Sequence, residues 1–131
     1  MAFRTVLQLL GVFLFSNFAL NSHVNAQEIS FSGEWRGALT IGRDTTGFVF
    51  IITKKDGKYA ATLSNTAIGI YGFPSDSVIV KDKNLTIRFK ALDIEFTGTI
   101  QLDSANKPYR IIGDWFQDSE LSPIVLERQE D

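Results

Sequence analysis

The sequence has no cysteine, one histidine, one methionine and only three prolines in 131 residues. Without cysteine there is no disulfide scaffold, no thiolate nucleophile and no thiolate metal ligand. Met1 and His23 both fall within residues 1–26, which read as a removable export signal. Arg4 supplies the positive start, and an apolar stretch runs from Thr5 to Leu20. Val24-Asn25-Ala26 ends it in a small-x-small cleavage pattern. Gln8, Ser16 and Asn17 interrupt a stretch already shorter than the ~20 residues of a membrane span. The expected mature domain, Gln27–Asp131, then has no histidine at all. That excludes a Ser-His-Asp triad and any imidazole metal site. The expected location is extracytoplasmic, periplasmic or secreted, with no membrane span after signal removal.

An excess of charge is also lacking. Lys and Arg number 13 against 15 Asp and Glu, for a formal net charge of −2. Lys54-Lys55 and Lys81-Asp82-Lys83 lie in predicted turns and form no basic stripe, so nucleic-acid binding is not expected. No stretch of the mature chain has helical spacing of apolar residues. What is present is alternation with a period of two, broken by turn residues about every ten positions, the pattern of an antiparallel all-β domain. Eight strands are expected: about Phe31–Ile41, Phe48–Thr53, Lys58–Ser64, Asp76–Val80, Leu85–Lys90, Asp93–Leu102, Tyr109–Phe116 and Pro123–Arg128. Asp56-Gly57 marks a tight hairpin, because both residues tolerate positive φ. Asn65–Ser75 is the longest piece left irregular. An up-and-down meander of this length removes its exposed edges by closing into a small barrel; a two-sheet sandwich is the alternative. The mature chain is one domain, burying roughly 65% of its unfolded surface.

Two similar runs, Trp35-Arg36-Gly37-Ala38-Leu39 and Phe96-Thr97-Gly98-Thr99-Ile100, place a glycine in line with inward residues. Such a glycine makes room for a large neighbour or for bending. Trp35 and Trp115 lie on the first strand and the seventh, near the two ends of the domain. They are candidates to floor a cavity, or else simply to pack the core. Asn65–Ser75 carries Ile68, Ile70, Tyr71 and Phe73, unusually apolar for a loop, and reads as a lid at a barrel mouth or a plug over one end. Tyr59 and Phe89 complete the candidate ligand-binding set of Trp35, Tyr59, Tyr71, Phe73, Phe89 and Trp115. Phe48, Phe50 and Ile52 alternate with Val49 and Ile51, so the second strand is apolar on both faces. With Val78, Ile79 and Val80, and Ile111-Ile112, this leaves a surplus for an outer patch, a dimer or a partner. Asp93 and Glu95 share one strand face, but Ile94 and Phe96 take the inward parity, which turns both acids to solvent. No catalytic residue, metal or cofactor is expected.

Ser32-Gly33-x-Trp35-x-Gly37-x-Leu39 is followed in order by further short motifs. These are Asp56-Gly57-x-Tyr59-x-Ala61-Thr62-Leu63, Gly72-Phe73-Pro74-x-Asp76-Ser77-Val78, Phe96-x-Gly98, Ile112-Gly113-x-Trp115 and Pro123-Ile124-Val125-Leu126-x-Arg128. Their order resembles the small β-domain that precedes the catalytic domain in some exported bacterial α/β-hydrolases, over nearly all of the mature chain. The Gly-x-Trp opening is similar, more distantly, to lipocalin- and avidin-like barrels. The resemblance implies an accessory domain, with a separate hydrolase as partner. It departs at Ser64-Asn65-Thr66-Ala67-Ile68-Gly69, where the family carries Asp-Ser-Pro and a Gln. No Gly-x-Ser-x-Gly elbow occurs in the sequence, so the resemblance supplies no catalytic residue. The expected function is a non-catalytic domain binding a small apolar or amphipathic ligand at a barrel mouth. The alternative is an interaction or stabilising module.

Overall fold

The computed structural model describes residues 29–130. The expected export signal, with His23 and Met1, lies outside the described residues. The described chain is all-β, with strands β1 (Gly33–Ile41), β2 (Asp44–Lys55), β3 (Lys58–Asn65), β4 (Ile70–Pro74), β5 (Ser77–Lys81), β6 (Asn84–Phe89), β7 (Ile94–Leu102), β8 (Pro108–Gln117) and β9 (Glu120–Arg128). Short 3-10 turns occupy Thr66–Ile68 and Lys90–Leu92. All nine strands belong to one antiparallel sheet in the order β4-β3-β2-β1-β9-β8-β7-β6-β5. The sheet is a meander curled into a barrel-like form. Its first and last strands meet as expected, with Trp35 opposite Arg128 and Arg36 opposite Glu127.

Nine strands replace the expected eight because Asn65–Ser75 is not an irregular loop. Gly69 takes a left-handed φ of 77° and ends the 3-10 turn, and the chain then enters β4. β4 pairs with β3, placing Phe73 opposite Leu63. β5 pairs instead with β6. The registers make β4 and β5 run in the same direction, so Ile70 to Lys81 is one path that changes partner midway. The switch falls at two residues. Ser75 donates its N–H to the Ala61 carbonyl on the β3 side, at 2.8 Å, and Asp76 donates to the Arg88 carbonyl on the β6 side, also at 2.8 Å. Counted as one path, these two strands restore eight alternating legs.

The hairpins follow from turn chemistry. Asp56 and Gly57 both have positive φ (53° and 77°), as do Asp118 and Ser119 (50° and 65°), the geometry that matches strand twist in a two-residue turn. The tight turns at Gly42-Arg43 and Asp118-Ser119 lengthen the following strands beyond the expected limits. β2 begins at Asp44 rather than Phe48, and β9 at Glu120 rather than Pro123.

Period-two alternation sends one face of every long strand inward. Trp35, Phe50, Leu85, Ile87, Phe89, Phe96, Ile111 and Leu126 are fully buried. The centre is aromatic: Phe50 stacks on Phe89 (5.9 Å, 8°) and on Trp115 (5.9 Å, 16°), with Phe96 tilted against it at 5.6 Å. The inward glycines do what their position predicts. A Cβ on Gly37 would meet Phe48 and Leu126 side-chain atoms at 2.8 Å, and one on Gly98 would meet Ile111 at 2.6 Å. Gly98 and Gly113 face each other across β7 and β8, where the two backbones approach too closely for any side chain.

The surplus of apolar residues appears on the outside. Ile51, Ile79, Ile112, Phe116, Leu121 and Val125 are exposed. Ile112 lies opposite Val125, and Phe116 opposite Leu121, so β8 and β9 carry a paired outer apolar stripe.

Candidate functional site

The two ends of the curled sheet differ. At the base, where β1 begins, residues ahead of β1 cross the opening. Phe31 is fully buried there and meets Tyr59 edge-on at 6.1 Å. Its carbonyl accepts the Trp35 indole N–H at 2.9 Å, and its own N–H reaches the Tyr59 hydroxyl at 3.4 Å. A buried indole needs such a partner. The base is therefore stoppered by an aromatic side chain from the chain's own N-terminal side.

The opposite end, the mouth, is less completely filled. Here the two 3-10 turns and the hairpins at Gly42-Arg43 and Asp118-Ser119 surround a pit of about 160 Å³. Its wall is mostly apolar: Leu39, Phe48, Leu63, Ile70, Leu92, Ile94 and Trp115. Leu39, Phe48, Leu63 and Ile94 belong to the same inward faces that build the core and are themselves buried beneath the pit. Ile68 and Ile70 come from the turn and strand that the sequence marks as unusually apolar.

Three polar side chains line the pit: Thr46, Asn65 and Gln117. Asn65 is the one buried polar residue among the described residues, 6% exposed, at the end of β3. Its Oδ1 accepts a hydrogen bond from the Thr46 hydroxyl at 3.0 Å, which leaves the Asn65 amide nitrogen as a donor in an apolar wall. Gln117 holds Trp115 in place. Its Oε1 accepts the Trp115 indole N–H at 3.1 Å, and its Nε2 donates to the Leu92 carbonyl at 3.2 Å, tying β8 to the neighbouring 3-10 turn. An adjoining depression of about 110 Å³ shares Leu39, Ile41, Trp115 and Gln117.

The six residues singled out from sequence are not gathered around one cavity. Trp115 lines the pit. Trp35 and Phe89 are fully buried in packed surroundings. Phe73 is half-buried on β4 and packs on Phe89 at 6.3 Å. Tyr59 is half-buried at the base, with the Lys54 ammonium 5.2 Å from its ring centre. Tyr71 is 72% exposed. Leu39, Asn65, Leu92 and Gln117 were missed, because nothing in a local pattern distinguishes the end of an inward face from its middle. The apolar residues at turn positions, Ile68 and Leu92, are the signal that was there to find.

The candidate acids have structural employment. Glu95 forms an ion pair with Arg88 at 3.1 Å, on the exposed face its parity predicts. Asp93 has a left-handed φ at the end of a 3-10 turn, and its Oδ2 accepts the Asp118 N–H at 3.1 Å. Among the described residues no cluster of three or more acids has the spacing to hold a metal ion. No helix among them is long and apolar enough to cross a membrane. Comparison with protein-family models, with curated proteins and with solved structures gave no match.

Proposed function

We propose that the chain is an exported, non-catalytic binding domain whose barrel-mouth pit takes a small apolar group. The observation that carries this reading is the pit itself: an apolar hollow beside Trp115 with the Asn65 amide in its wall, at the end that no described residue stoppers. Its size sets the ligand. An apolar cavity of about 150 Å³ holds a molecule the size of benzene, well below the ~300–1,000 Å³ of a drug-sized site. The pit accordingly takes a six- to eight-atom ring or branched aliphatic group, or the end of a longer amphipathic molecule whose remainder stays in solvent. The Asn65 amide offers a ligand one hydrogen-bond donor at the wall of the pit.

The two tryptophans make the test internally controlled. Titration with 4-methylphenol, followed by the indole N–H resonances, should shift Trp115 saturably and leave Trp35 in place. An Ile70→Trp variant that fills the pit should remove the response. A Trp115 resonance that stays unmoved up to the solubility limit would refute the proposal.

A second reading, an interaction module acting with a separate hydrolase or a second copy, is favoured by the outer stripe of Ile112, Val125, Phe116 and Leu121. Exposed contiguous apolar surface is what a partner covers. Sedimentation that remains monomeric at high concentration, with no association with a co-expressed hydrolase, would count against it.

A further inference from the structure

The turns at the two ends of the barrel differ in chemistry. Those at the base, residues 55–58, 81–84 and 103–107, are built of lysine and small or polar residues and carry no large apolar side chain. The mouth carries the four most exposed large apolar residues among the described residues: Ile41, Ile68, Tyr71 and Leu121, at 63%, 64%, 72% and 62%. They come from four separate segments. Ile41 ends β1, Ile68 ends the first 3-10 turn, Tyr71 is the second residue of β4, and Leu121 is the second of β9. Phe116, also exposed, lies opposite Leu121 beside the hairpin tip. Ile41 and Ile68 stand at the lip of the pit itself.

From this arrangement we infer that the mouth docks on a lipid surface without net negative charge. Three observations select that occupant. Apolar side chains projecting at one end, with charged turns at the other, give the domain the two-sided character of a protein that lies on a membrane: the apolar groups enter the boundary between headgroups and acyl chains, and the polar end stays in water. The pit opens at the same end. A rigid protein surface laid across it would enclose a void of about 160 Å³, which well-packed interfaces do not contain, whereas fluid acyl chains can enter it. Charge decides which lipid. In the turns and strand ends of the mouth, Arg43 and Lys90 stand against Asp44, Asp93, Asp118 and Glu120, and this acidic balance is repelled by an anionic surface. The inference uses the shape of the pit and needs no ligand in it, so it goes beyond the binding function proposed above.

The experiment is flotation of the protein with phosphatidylcholine vesicles, with no ligand present. The expected result is saturable binding. The I41S/I68S/L121S triple variant should bind at least about tenfold more weakly, because affinity scales with the apolar area buried in the interface. All three side chains are mostly exposed, so the variant should keep the parent's thermal midpoint. Y71S, outside the pit lining, should also weaken binding, which separates the rim from the pit. I112S/V125S, on the outer stripe of β8 and β9, should bind as the parent does. All variants keep the same N-terminal residues, so a difference between them belongs to the altered positions. Adding phosphatidylglycerol to the vesicles should weaken binding.

Absence of vesicle binding would overturn the inference, as would equal binding by the triple variant or an equal loss in I112S/V125S. Equal or tighter binding to vesicles containing phosphatidylglycerol would overturn the choice of a neutral surface. Rim-dependent self-association in sedimentation without vesicles would overturn it in favour of a second copy seated mouth to mouth. Vesicle binding is read without 4-methylphenol and the Trp115 shift without vesicles, so either reading can fail alone.

Discussion

Placing a methyl group on Gly113 tests the close approach of β7 and β8. An added Cβ there would overlap the Thr97 carbonyl oxygen and lie 2.6 Å from the Gly98 Cα. Both obstacles are backbone, held in a ladder that runs from Ile94 opposite Gln117 to Ile100 opposite Ile111. Neither can swing aside without separating the strands. Gly37 is the comparison. Its added Cβ would meet the Phe48 ring and Leu126 Cδ2 at 2.8 Å, atoms at the ends of side chains. Overpacking of this kind costs about 1–3 kcal/mol, and more when the backbone must shift. G113A is placed at ~3 kcal/mol and G37A at ~1 kcal/mol on that scale. Neither glycine has positive φ, so no backbone strain adds to either. The entropy an alanine removes from the unfolded chain offsets both by about 0.4–1 kcal/mol. At 4–8 °C per kcal/mol for a domain of this size, G113A should lower the midpoint by ~10 °C or more and G37A by a few degrees at most. Thermal unfolding by circular dichroism, with urea unfolding as a check, reads both. A G113A midpoint within ~4 °C of the parent, or a larger loss in G37A, would refute the close-approach argument.

Phe50→Ala should cost about 3–5 kcal/mol in urea unfolding, because Phe50 is fully buried and contacts Phe48, Phe89, Phe96 and Trp115. Gln117→Leu should cost about 1–3 kcal/mol by stranding the Trp115 indole N–H and the Leu92 carbonyl, and should alter Trp115 emission while leaving the Trp35 indole resonance in place. Ile112→Asp changes an exposed outward residue and should shift stability by no more than about 0.5 kcal/mol. Its effect should appear in analytical ultracentrifugation if the outer stripe is an interface.

Most of the architecture was legible because β-structure writes itself in alternation. Phe48, Phe50 and Ile52 are buried and Ile51 is exposed, as parity required. Asp56-Gly57 makes the hairpin its chemistry predicts. Two glycines and a proline break the alternation in Asn65–Ser75, which predicts an irregular segment. Those breaks instead end a 3-10 turn and bend a strand between two neighbours. Glycine and proline report that the backbone departs from a straight ladder, and they do not report whether it leaves the sheet.

The candidate site was less legible. Trp115 was anticipated, but its companions come from strand ends far apart in the chain: Leu39, Leu63, Leu92, Ile94 and Gln117. The sequence alone does not separate Trp35 from Trp115; in the fold Phe31 covers the base and accepts the Trp35 indole N–H.

The order of apolar and polar residues by itself determined an antiparallel meander, the inward face of each strand and the outward surplus. Each of these follows from the two-residue period of extended backbone, a property of neighbours in the chain. Tertiary structure alone decided which end is stoppered, where a pit is left, and which exposed apolar residues gather around it. Those outcomes depend on how distant segments fill a shared volume, and no local period records that.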